Sequence, residues 1–334
     1  METKATYSIL DTLTALWQRL LQRSPIGADE NFFDLGGDST LAVELFNEVS
    51  KICGRDLPAV MIYQTPTIAS LLDVLEQTAV PRLPPLVELK PGTQQPPVFI
   101  AHGLGGSAMD FFQPIRFLKT DRPVYGMQTR GYEGAEEPHD RIEDMAEYFL
   151  RAIREMQSSG PYFLIGFSLG GLVTLEIAQR LLESGEKIAL LAMLDAYPHL
   201  SFLSAAQRAR LSARQTGRRV SGVLRRIAPS FDRPAEAVSE PEVVVVTTPA
   251  MQRVRDAAYV ALERYRPRYY NGKIKFAKAA VSVEFPDDPV AIWSPLAAEF
   301  EMEIVPGDHL GIITTHYESL AAVLSRFLQQ AASS

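Results

Sequence analysis

Along the first 77 residues, apolar side chains recur at steps of three and four. Ile9, Leu13, Leu16, Trp17, Leu20 and Leu21 form one stripe, Leu41, Leu45, Phe46, Val49 and Ile52 a second, and Ile68, Leu71, Leu72 and Leu75 a third. That period puts each set on one helix face, so the segment is expected to be a small all-α bundle of four helices. From residue 98 the pattern changes. Apolar runs "PVFIAHG", "PVYGMQT", "YFLIGF", "KIALLAMLDA", "KIKFAKA" and "FEMEIV" read as strands, with helical periodicity at 141–157, 169–184 and 316–329. Strands alternating with helices predict a mainly parallel sheet covered on both faces.

Between the two patterns lies "TAVPRLPPLVELKPGTQQPP", residues 78–97, with six prolines. Each proline removes a donor and fixes φ, so neither a long helix nor a central strand can run through it. It reads as a linker leading into an edge strand. The expected division is 1–77, a linker at 78–97, and 98–334. A length of 334 residues fits two domains on a prior of roughly 150 residues each.

Composition narrows the chemistry. Cys53 is the single cysteine, which excludes an internal disulfide and leaves no spacing for a zinc cluster or redox pair, so no metal is expected. The N-terminus lacks a continuous apolar core, and no run of about 18 apolar residues exists to span a membrane. A cytoplasmic location without a membrane partner is the expectation. The net charge of −7 argues against nucleic acid as a partner. Residues 1–77 hold eleven acidic against five basic residues, a balance of −6, whereas residues 201–233 hold eight arginines and one acid.

Two stretches exceed what folding asks of them. In "FFDLGGDST", residues 32–40, two aromatics, paired glycines and Ser39 precede a predicted helix. Asp38 or Ser39 could cap that helix, but capping does not require Phe32, Phe33 and both glycines. Gly36 and Gly37 strip side chains from the approach to Ser39, where the predicted helix begins.

The second stretch is "YFLIGFSLGGLVTLEIAQRL", in which Gly166, Ser168 and Gly170 form G-x-S-x-G between a buried strand and an amphipathic helix. That is the setting of a nucleophile elbow, where a strained turn exposes the serine hydroxyl. Serine needs a base, and the chain order of this fold is serine, acid, histidine. Among five histidines, His309 in "EIVPGDHLG" follows the last strand, with His316 as its competitor; His102 and His139 precede the serine, and His199 falls in an irregular insertion. For the acid, Asp195 ends an otherwise apolar strand, while Asp287 and Asp288 follow the next one and Asp308 reads as a turn residue. Asp195 is preferred. Backbone N–H groups of Leu104, in "FIAHGLGGS", and Leu169 are the expected oxyanion donors. The glycines of that loop are not spaced as a dinucleotide fingerprint.

"FFDLGGDST" resembles the phosphopantetheine attachment site of peptidyl and acyl carrier domains, and the resemblance covers residues 5–77, including "TPTIASLLDVL" as a last helix. It implies 4′-phosphopantetheine on Ser39, installed by a phosphopantetheinyl transferase. Thr40 departs from the bulky aliphatic usual after that serine. Residues 98–330 resemble the α/β-hydrolase thioesterase domains that end nonribosomal peptide and polyketide assembly lines, through the elbow, the oxyanion loop, Asp195, "PGDHLG" and "ERYRPRYYNGKIKF". This resemblance implies upstream synthetase domains that deliver an acyl chain, its transfer to Ser168, release by water or an internal nucleophile, and a helical lid over about 196–265. A repair thioesterase acting in trans and a non-enzymatic carrier scaffold are the competing readings. The fused carrier counts against the first and the complete triad against the second.

Overall fold

The computed structural model describes residues 8–55, 57–77, 82–209, 211–212, 248–282, 285–286 and 288–332. Most of the expected lid, including the bulk of the arginine-rich stretch, lies outside the described residues, as does Asp287.

The N-terminal part builds α1 (Ile9–Leu21), α2 (Ser39–Cys53) and α3 (Ile68–Glu76). Each start is set by a side chain: Ser8 and Asp11 form a capping box on α1, Asp38 accepts the Leu41 N–H at 2.9 Å on α2, and Thr67 with Ser70 caps α3. The stripes meet as predicted, with Leu13, Trp17, Leu45, Phe46, Val49, Ile68 and Leu71 buried. Ile9 and Ile52, counted in the same stripes, lie at helix ends and are exposed. In place of another α-helix the chain makes a short 3₁₀ turn, Ala59–Tyr63. Pro58 and Pro66 bracket the segment too closely for more.

Seven strands form one sheet among the described residues: β1 (Leu86–Lys90), β2 (Val98–Ala101), β3 (Val124–Met127), β4 (Tyr162–Phe167), β5 (Ile188–Leu194), β6 (Tyr270–Ala279) and β7 (Ala297–Val305). Their order is β1-β3-β2-β4-β5-β6-β7, and only β1 runs antiparallel. The edge strand therefore sits inside the proline-rich segment itself, between Pro85 and Pro91. The far edge, β7, carries Glu299, Glu301 and Glu303, with Lys273 of β6 ion-paired to the first two. Such charges discourage edge-to-edge pairing.

Strand alternation sorts side chains to two cores. Tyr162 and Leu164 of β4 join Phe99 of β2 against α5 (Ile142–Met156) and α6 (Leu169–Glu183). Phe163, Ile165 and Phe167 face the other way, onto α8 (Tyr317–Ala332). The remaining helices used below are α4 (Phe112–Phe117) and α7 (Pro249–Arg264). Because β2 and β4 are buried on both faces, their sequences are continuously apolar.

Candidate active site

Ser168 stands between β4 and α6 with φ 53° and ψ −120°. An L-residue pays for that left-handed conformation, of order 1–3 kcal/mol, so it persists only where the surroundings impose it. They do so by close approach. A Cβ at Gly166 would lie 2.2 Å from Gly170 O, and one at Gly170 would lie 2.3 Å from His102 O. Both glycines of G-x-S-x-G are thus needed to let α6 begin directly against the ends of β2 and β4. The Ser168 N–H is anchored to Leu194 O at 2.9 Å.

Asp195, one residue past β5, has φ 44° and is 3% exposed. Its N–H bonds to Ala277 O at 2.8 Å, and its Oδ1 accepts the Ala279 N–H at 3.1 Å and the Tyr197 hydroxyl at 3.3 Å. Oδ2 lies 2.8 Å from His309 Nδ1, and His309 Nε2 lies 3.1 Å from Ser168 Oγ. A carboxylate only accepts, so Nδ1 carries the proton, and in the neutral ring Nε2 is left to accept from the serine hydroxyl. The imidazole stacks on Phe167 at 4.8 Å and meets Phe285 at 4.5 Å. Its side chain remains 20% exposed against 3% for Asp195, so the ring is the face of the relay open to substrate.

The other candidates go elsewhere. Asp288 caps a helical turn by accepting the Ala291 N–H, and Asp308 accepts the Gly311 N–H at 2.8 Å. His316 packs under Gly307, where a Cβ would meet its ring at 2.4 Å. His139 packs beside Tyr148, and His199 bonds Ser201. His102 is buried, its Nδ1 2.7 Å from Gly103 O, and burial lowers its pKa to about 4.

The loop after β2 runs beside the serine: a Cβ at Gly103 would lie 3.5 Å from Ser168 Cβ. Leu104 follows in that loop, and Leu169 opens α6, where first-turn N–H groups lack intrahelical partners. Buried Gln128 braces the same loop, donating to Gly106 O at 2.8 Å and accepting the Ala108 N–H at 3.1 Å. Sequence reasoning missed Gln128, Tyr197 and the two phenylalanines. A glutamine ending an apolar strand in "VYGMQT" was the one available signal.

The attachment loop is compact. A Cβ at Gly37 would lie 2.3 Å from the Phe32 ring, whereas Gly36, at φ 96°, has nothing within 4 Å of that position. Asp38 supplies the α2 cap, so Ser39, at the first helical position, is not needed for capping. An open glycine and a serine at a helix start suit a bulky phosphodiester.

A doubly covered parallel sheet with a Ser–His–Asp relay at the C-terminal strand ends defines an α/β hydrolase. Residues 96–328 match the thioesterase domain family and residues 11–75 match the phosphopantetheine attachment site. The chain belongs to the thioesterase domain family, and a phosphopantetheine attachment site is matched ahead of that domain. It is 37% identical over 190 residues to a dimodular nonribosomal peptide synthase of Bacillus subtilis (strain 168), spanning 57% of this chain and 8% of that protein. To an indigoidine synthase of Dickeya dadantii (strain 3937) it is 36% identical over 180 residues, 54% of this chain and 12% of that protein. The chain thus spans only a small part of the curated relatives it matches. A four-domain nonribosomal peptide synthetase structure, in holo form with AMP and glycine, has the same fold, with a TM-score of 0.60 at 23% identity over 98% of this chain and 27% of that one. No helix among the described residues is long and apolar enough to cross a membrane.

Proposed function

We propose that this chain holds an acyl or peptidyl group as a thioester at Ser39 and releases it through an acyl-enzyme at Ser168. The observation that carries the reading is the relay from Asp195 through His309 to Ser168, at 2.8 and 3.1 Å, in a chain that also bears a phosphopantetheine attachment site. When attached to Ser39, 4′-phosphopantetheine supplies the thiol that carries the acyl chain.

His309 Nε2 takes the Ser168 proton as Oγ attacks the acyl carbonyl, and Asp195 holds the imidazolium that results. Leu104 and Leu169 N–H groups receive the oxyanion in the tetrahedral intermediate. Collapse breaks the carbon–sulfur bond, and His309 returns the proton to the departing sulfur. Water, or a nucleophile within the acyl chain, then gives its proton to His309, attacks the ester, and restores Ser168 when the proton passes to Oγ. The carrier in cis raises the effective substrate concentration to the order of millimolar, so delivery needs no strong docking.

A phosphopantetheinyl transferase and upstream synthetase domains are the partners this reading requires. It is tested by quenching the protein during turnover of a small acyl thioester. An acyl adduct on the Ser168 peptide is expected in wild type and in no Ser168→Ala sample; an adduct elsewhere contradicts the reading.

A further inference from the structure

The carrier is seated on the structure that follows the oxyanion loop. Phe33, from the loop leading to Ser39, packs its ring at a tilt against Tyr63 at 5.2 Å and Phe112 at 5.4 Å, with the Tyr63 and Phe112 rings 6.4 Å apart. Phe112 opens α4, directly after the 3₁₀ turn Ala108–Phe111, and its outer side is covered by the Arg116 guanidinium at 5.7 Å. Ala108 and Met109 of that turn, with Met251 of α7, are part of the carrier's own apolar cluster.

Two routes lead from this contact to the oxyanion loop. Asp110, in the same turn, sets its carboxylate over the loop, where a Cβ at Gly105 would meet Oδ2 at 3.5 Å and Oδ1 at 3.8 Å. On the other side, one turn along α7 from Met251, Val254 presses on Gly106, where a Cβ would lie 2.5 Å from Cγ1. Gly106 itself has φ 79°, a conformation that depends on what surrounds it.

We propose that the docked carrier is a positioning element for the thioesterase: Phe33 and Tyr63, by packing on Phe112, fix the turn Ala108–Phe111 and through it the loop that presents the Leu104 N–H. The inference rests on the assignment of Leu104 and Ser168 above. The carrier then does more than tether substrate. Its presence sets the geometry of the oxyanion site even for a thioester never attached to Ser39.

The test uses the full chain without its prosthetic group and a free acyl thioester of N-acetylcysteamine. Phe33→Ala and Phe112→Ala should each lower kcat by about tenfold or more, as small displacements of a positioned donor do, with KM within about twofold. The double variant should lose no more than either single one, because both remove one contact. Phe33→Leu should restore most of the loss, which separates packing from unfolding of the carrier. Unchanged kcat in both single variants, or losses that multiply in the double variant, overturns the proposal. Ser168→Ala distinguishes the levels: if it still turns over the free thioester, the active-site assignment fails; if it is inactive and the phenylalanine variants behave as wild type, only the positioning role fails.

Discussion

His309 Nε2 and Ser168 Oγ lie 3.1 Å apart across 141 residues of chain. They meet because β4 and β7 deliver their C-terminal ends to the same edge of a parallel sheet, and Asp195 reaches His309 from β5 between them. Asp195→Asn keeps the shape but offers Nδ1 an amide, so turnover should fall on the order of 10⁴ with the melting curve little changed. Asp288→Ala should stay near wild type, since Asp288 only caps a turn. Steady-state kinetics with a free thioester decide between them, and the reverse pattern moves the acid away from Asp195.

Tyr197 steadies the acid. Its hydroxyl reaches Asp195 Oδ1 at 3.3 Å while its ring stacks on Phe285 at 5.3 Å, and burial raises the hydroxyl's pKa, so it stays a donor. Tyr197→Phe keeps the stack and removes one bond of two to Oδ1. A loss of about 1 kcal/mol, roughly fivefold in kcat/KM, is expected. A loss as deep as that of Asp195→Asn would mean that the hydroxyl does more than steady the carboxylate.

Gly170→Ala tests the close approach at the elbow. Its Cβ would meet two backbone oxygens, His102 O at 2.3 Å and Ala101 O at 2.5 Å, and neither can rotate away. The substitution should cost about 1–3 kcal/mol in thermal unfolding. Gly105→Ala, whose nearest contact is 3.5 Å, should melt near wild type. Equal melting temperatures for the two would contradict the packing argument.

Buried His102 and half-buried Asp110, beside the loop after β2, give opposite pH dependences. Burial lowers the His102 pKa from 6.5 to about 4, so the unfolded chain binds more protons in that window, and this contribution to stability, full above pH 6.5, is lost as pH falls toward 4. Desolvation raises the Asp110 pKa from 3.8 to about 7; this contribution is full below pH 3.8 and lost as pH rises through 7. The two slopes oppose one another between pH 4 and 6.5. Asp110→Asn should therefore make the melting temperature drop more steeply than wild type on acidification, and His102→Gln should make it drop more steeply as pH rises. Curves parallel to wild type for both variants would refute the assignments.

Much of this was legible because its signals are local. Ser168 announces itself through flanking glycines that the backbone contacts require, and Asp195 through a charge ending an apolar strand. His309 followed from chain order. Gln128, Tyr197 and Phe285 were not legible, since each matters only through a partner brought near by the sheet. The edge strand Leu86–Lys90 was hidden among prolines, which an antiparallel edge tolerates and a central strand does not. The exposure of Ile52, at the end of its helix, shows that periodicity locates a face without saying where it ends.

The central claim, passage of an acyl group from Ser39 to Ser168, is tested most directly by intact-mass measurement after loading with a phosphopantetheinyl transferase and an acyl-CoA. Wild type should gain the acyl-phosphopantetheine mass and then decay to the holo mass. Ser168→Ala should gain it and retain it, and Ser39→Ala should gain nothing. Loading of Ser39→Ala, or discharge of Ser168→Ala at the wild-type rate, would contradict the account.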